Sequence, residues 1–304
     1  MVTNVAAKPR LVVQTLWRVA LFMLAFALSG AVFIIPFDAA LSRWADAFPM
    51  RVQLYYDIAG LVAMLAATWV MTRFVDRRRF RTIGFASGTA SRDFAAGLGT
   101  GVAWLVVSVG VAWAFGWVSP EVPVGFSGSL LLAAAISVFI NVLTQQLLLC
   151  GYIFQTIRSR ANFLVALLVS AGLFSAYHAG AFHWAWLPAV NVFAAGVLFC
   201  LAYGITGNLW FPVAIHVAWN LLLGPVLGLT VSGTGQMGLG WSMFTVEGPR
   251  LFTGGGFGLE GGLVVTLTTT FFVFTMVLFR SRQRIQERND NTVHSRVSET
   301  PGAR

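Results

Sequence analysis

Long apolar runs separated by short polar breaks dominate the chain. Eight of them approach the roughly 20 residues a bilayer-spanning helix needs: 15–37, 53–73, 94–118, 127–153, 162–180, 187–205, 209–229 and 262–279. The pattern predicts an all-α, polytopic transmembrane helix bundle of about eight spans. The first run follows Lys8 and Arg10, yet it is too long for a signal-peptide core and lacks a clean small-residue cleavage site, so it reads as a helix. No repeat of fixed period is present and the two halves look unlike, so the inverted-repeat pattern of many transporters is not evident.

Positive charge orients these spans. Lys8 and Arg10 precede the first; Arg73, Arg77, Arg78, Arg79 and Arg81 follow the second; Arg158 and Arg160 follow the fourth; Arg280, Arg282, Arg284 and Arg288 follow the eighth. The opposite connections carry no positive excess, so the expectation is a multi-pass protein of the cell membrane with both termini cytoplasmic. It divides into a cytoplasmic segment 1–14, a transmembrane domain 15–282 and a polar, aromatic-poor tail 283–304 that reads as disordered. The glycine-rich connection from 228 to 262 reads, on composition alone, as a loose loop.

Composition narrows the function classes. Of 304 residues, 57% are hydrophobic and 10% charged, with a mean hydropathy of +0.77, against roughly a quarter charged in a soluble domain. A water-soluble enzyme is excluded. Lys and Arg total 20 against 11 acidic residues, but the cations flank apolar runs, which points to membrane lipid rather than nucleic acid as the partner. Cys150 and Cys200 both lie inside apolar runs and read as small buried residues rather than a disulfide.

Polar residues inside the spans carry the chemical information, because each costs several kcal/mol in hydrocarbon unless it finds a partner. They concentrate in the fourth to seventh runs: Asn141, Thr144, Gln145 and Gln146, then His178, then Asn191, then His216 and Asn220. Spacings of four place Asn141 with Gln145, Gln146 with Cys150, Phe174 with His178 and His216 with Asn220 on shared helix faces. Taken singly, Asn141, Thr144 and Asn191 read as interhelical hydrogen-bonders. Two histidines in separate spans are different, since a neutral imidazole is useful as a base, an electrophile or a metal ligand. At ~1.5 Å per residue, Gln145 lies roughly 20 Å from the cytoplasmic end of its span, His178 about 24 Å and His216 about 10 Å, so tilt or an unwound turn is needed to level them. Two histidines alone make an incomplete zinc site, three protein ligands being the usual minimum, and nothing in the spacing of Cys150 orders it toward both imidazoles as a third, so neither metal nor cofactor is expected.

Three patterns occur in order: QQLLLCGYIFQ from Gln145 to Gln155, FSAYH from Phe174 to His178, and HVAWN from His216 to Asn220. Together they resemble the CAAX-protease and bacteriocin-processing (CPBP) family of intramembrane endopeptidases. That family's pattern is Glu-Glu with Arg four residues after the second Glu, then FxxxH, then HxxxN. The likeness covers about 80–280, with the motifs at 145–220, and includes the glycine-rich stretches at 230–233 and 252–262. It implies the CPBP intramembrane protease fold and water attack on a peptide bond of a membrane-embedded peptide or protein. The candidate site residues it implies are Gln145, Gln146, Cys150, His178, His216 and Asn220. Water activation would fall on Gln145 and His178, and oxyanion stabilisation on His216 and Asn220.

The departure from the pattern is as informative as the match. Gln145 and Gln146 stand where the family has glutamates and Cys150 where it has arginine. A glutamine amide has negligible basicity, so a general base worth about 10² to 10⁴ in rate is missing. No Asp or Glu lies between Glu121 and Glu247, and Asp57 reads from its depth as interfacially solvated. Exchanging both members of a buried ion pair can be neutral, so the fold should survive. The expectation is therefore an endopeptidase scaffold with impaired hydrolysis. The alternatives are a non-catalytic binding or regulatory pseudoprotease and, less in keeping with the motifs, a small-solute transporter.

Overall fold

The computed structural model describes residues 9–85, 88–234 and 241–298. Lys8, with the rest of 1–8, and the last residues of the tail, 299–304, lie outside the described residues. The chain is an all-α bundle. Among the described residues six helices are long and apolar enough to cross a membrane, and two apolar helices are shorter, Phe163–Tyr177 and Trp210–Val226. Both shorter ones carry site motifs, so the eight runs become six full-length spans and two truncated ones.

Helix α1 (Pro9–Leu41) packs on α2 (Pro49–Val70), and α2 packs in turn on α4 (Gly128–Gln146). Helix α3 (Ala90–Ala114) lies along α8 (Trp210–Leu221). A short α5 (Phe154–Arg158) ends the fourth span. Helix α6 (Phe163–Tyr177) packs on α7 (Trp186–Thr206), which also meets α10 (Leu263–Ser298). The single turn α9 (Arg250–Thr253) lies in the glycine-rich connection. Strands β1 (Val118–Pro120) and β2 (Phe244–Val246) pair antiparallel, tying that connection to the loop after α3. Helix α10 runs past Gln283 to Ser298, so 283–298 is helical where composition predicts disorder; its many Arg, Gln and Glu residues are good helix formers.

Small residues set the closest helix contact. Gly97 and Gly101, four apart on α3, face α8, and a Cβ built on Gly101 would stand 2.6 Å from the Ile215 carbonyl oxygen and 2.7 Å from the Ala218 Cβ. The backbone carrying His216 is thus pressed directly against α3. Two of the site helices also widen: α4 continues as π-helical turns over Leu147–Ile153, and α8 does so over Leu222–Val226. Such turns are rare and concentrate where side chains must be re-aimed.

The described parts of the glycine-rich connection, 228–234 and 241–262, are built rather than loose. The Asn191 amide of α7 donates to the carbonyl oxygens of Glu260 (2.7 Å) and Gly262 (3.0 Å) and accepts from Thr266 Oγ1 (2.7 Å). Phe257, Leu259 and Trp241 are buried beneath it. Composition missed this because the order comes from a side chain about 70 residues earlier in the chain.

Candidate active site

Two chains of hydrogen bonds meet at one cavity of about 480 Å³. Gln145, His178, His216 and Asn220 all line it, together with Asp57 and Glu260. Gln146 and Cys150 are fully buried behind it. Four of the six sequence-predicted residues therefore share the cavity, and the other two support its wall.

The first chain runs through that wall. The Cys150 thiol donates to Gln146 Oε1 (3.3 Å), and Gln146 Nε2 stands 3.1 Å from His216 Nδ1. With its carbonyl taken by the thiol, Gln146 presents its NH₂, so Nδ1 accepts and the neutral ring carries its hydrogen on Nε2. The Asn220 amide lies 3.3 Å from that Nε2. The structure places Asn220 Nδ2 at that position; turning the amide so that its oxygen accepts from Nε2–H, an orientation equivalent in shape, presents the NH₂ to the cavity. Phe199 stacks on the His216 ring at 4.6 Å, and Phe174 stands edge-on to both His216 (6.1 Å) and His178 (4.7 Å). Cys150 and Cys200 are free thiols with sulfurs 3.9 Å apart.

His178 caps the C-terminus of α6, where the helix ends. Its Nδ1 lies 2.9 Å from the Phe174 carbonyl oxygen. A carbonyl only accepts, so Nδ1 carries the hydrogen and the lone pair sits on Nε2. Side chains of different nominal depth thus reach one cavity.

The second chain starts from Asp57, and here the interfacial expectation is corrected. Asp57 is 5% exposed, and its carboxylate accepts from Gln53 Nε2 (3.1 Å), Asn141 Nδ2 (2.9 Å) and the Ser137 hydroxyl. A carboxylate accepts only, so Asn141 must turn its NH₂ to Asp57 and its oxygen away. That oxygen receives Gln145 Nε2 at 2.5 Å. The orientation propagates to the end of the chain: Gln145 Oε1 is left buried and without a hydrogen-bond partner among the described residues, on a residue that lines the cavity. The signal for Asp57 was its acidity within an apolar run; the partners on α4 were not readable.

Glu260 carried no comparable signal. Its carboxylate accepts from Trp219 Nε1 (2.6 Å) and from both the backbone N–H and the hydroxyl of Ser232 (3.0 Å for the latter), clamping the glycine-rich connection to α8 beside Asn220. Burial raises its pKa above the ordinary carboxylate value, against the lowering effect of these three bonds. Trp219 in turn stacks on Trp104 of α3 at 3.7 Å. Among the described residues no group of three His, Cys, Asp or Glu side chains is placed to hold a metal ion.

Residues 127–222 match the family model described as type II CAAX prenyl endopeptidase Rce1-like. The matched segment spans α4 to α8 and contains all six predicted site residues, so the resemblance to the CPBP family holds over the part of the chain that builds most of the cavity. No curated protein and no solved structure matches the chain. The chain is a multi-pass membrane protein with an Rce1-like central segment.

Proposed function

We propose that the cavity takes an extended amide segment of a membrane-embedded peptide or protein and hydrolyses it slowly, the family reaction with its strongest base removed. The observation that carries this is the His178 tautomer: Nδ1–H is committed to the Phe174 carbonyl, leaving a basic Nε2 in the cavity that Gln145, His216 and Asn220 share. A water there finds two acceptors, Gln145 Oε1 and His178 Nε2, for its two hydrogens. As its oxygen bonds to the carbonyl carbon, one proton passes to His178 Nε2. That proton then goes to the departing amine nitrogen as the C–N bond breaks. Asn220, oriented by His216, offers its NH₂ to the carbonyl oxygen on which charge develops. The arginine-rich connections support a place in the cell membrane with both termini cytoplasmic.

The test is cleavage of a reporter peptide by purified protein in lipid. Slow turnover is expected, with His178→Ala reducing it to background and Asn220→Ala lowering it by about 10². Binding of peptide with no turnover in the parent protein would replace this with the non-catalytic binder, whose amide-for-carboxylate exchanges at Gln145 and Gln146 it shares. Turnover unaffected by His178→Ala would refute the assignment of the base.

A further inference from the structure

The charged groups of the cavity wall are of one sign. Asp57 and Glu260 line it, and among the described residues that line it there is no Lys or Arg. Asp57 makes no ion pair among the described residues; its three partners are neutral donors, which solvate the carboxylate without cancelling its charge. An acid within a transmembrane bundle and without a cation is a costly arrangement unless a ligand completes it.

A second observation is independent of that charge count. Gln145 is 8% exposed, and its Oε1 is an acceptor without a donor, on a residue that lines the same cavity. His178 Nε2, whose ring hydrogen is committed to the Phe174 carbonyl, adds a second lone pair to that wall. Trp104, Phe174, Tyr177, Phe199 and Trp219 line the same cavity, and aromatic linings of this kind favour cations over anions.

We propose that the cavity is a binding site for a protonated amine held against Asp57, and that the segment it takes therefore carries a lysine side chain or a free amino terminus. An ammonium group brings three N–H donors and one positive charge, which is what the lone pairs and the uncompensated acid lack. The identity of the carrier rests on the peptide function proposed above; the amine site itself does not. A C-terminal carboxylate beside Asp57 would meet like charge, so anionic peptides are disfavoured.

The full chain in lipid nanodiscs at neutral pH tests this by calorimetry with n-butylammonium against 1-butanol, probes of similar size that differ in charge. Saturable binding of the amine and none of the alcohol is expected, with Asp57→Asn weakening the amine about tenfold or more. The wild-type comparison needs no variant to fold. Equal behaviour of the two probes, absence of amine binding, or amine affinity undiminished in a folded Asp57→Asn protein overturns the proposal. Three otherwise identical peptides, with an internal lysine, with a free amino terminus, and acetylated with glutamate in place of lysine, then identify the carrier. Amine binding with no peptide bound removes the peptide function and keeps the amine site. Peptide binding indifferent to charge does the reverse.

Discussion

Restoring a glutamate at position 145 is the obvious way to recover a base, and the structure predicts that it fails alone. Gln145 Nε2 donates to Asn141 Oδ1 at 2.5 Å, while Asn141 Nδ2 is committed to Asp57 at 2.9 Å. In Gln145→Glu, an ionised carboxylate would face the Asn141 oxygen. If Asn141 turns round to donate to the new acid, its oxygen faces Asp57 instead. Either way one buried acceptor meets another, at about 1–3 kcal/mol. If the new acid keeps a proton and donates that, it is no base. Adding Asp57→Asn lets the whole chain reverse, since the amide introduced there can donate to Asn141 and Asn141 to the new carboxylate. A double-mutant cycle of thermal stability in lipid should therefore show a favourable coupling of about 1–3 kcal/mol, and peptide turnover should rise about 10² or more only in the double variant. Additivity within about 0.5 kcal/mol, or full activity in Gln145→Glu alone, would show that orientation does not pass from Asp57 to Gln145.

Two further outcomes follow from the scaffold. Glu260→Gln leaves one donor, either Trp219 Nε1 or the Ser232 N–H, facing an NH₂, and should cost about 1–3 kcal/mol at acid pH. Because burial raises the folded-state pKa of Glu260, its contribution is complete below the unfolded carboxylate value of about 4.3 and is lost as pH rises through the folded value, so the gap between wild type and variant should narrow with rising pH; a gap that widens refutes it. Gly101→Ala drives a methyl into the Ile215 carbonyl and should destabilise by about 1–3 kcal/mol while lowering turnover through displacement of His216, measured together by thermal unfolding and reporter cleavage; an unchanged melting point would mean the α3–α8 contact is looser than described.

How much was legible in the sequence depended on the range of the interaction. Apolar runs mark the helices because every backbone group must be satisfied within its own segment in lipid, a local requirement. The spacing of Gln145, Gln146 and Cys150 and the HVAWN motif likewise place side chains on shared faces, and the four cavity-lining members do converge. Asp57 was misjudged because its depth was counted along one helix, whereas its environment is set by Ser137 and Asn141 on another. Glu260 was invisible for the same reason, since Trp219 and Ser232 reach it across 41 and 28 positions of sequence. The π-turns left no mark that periodicity could detect, although they decide where the residues after Gln146 point.

Helix α6 has a consequence for the surrounding lipid. Its 15 residues extend only about 22 Å, against a hydrocarbon thickness of about 30 Å, and Leu164, Leu168 and Leu173 along it are exposed. Acyl chains bordering this flank are expected to shorten or splay to cover it, thinning the bilayer beside His178. On that side water and the polar backbone of an incoming segment would then meet a thinner barrier than beside a full-length span. Membranes of shorter lipids would relieve the mismatch, which makes lipid chain length a control on access to the cavity.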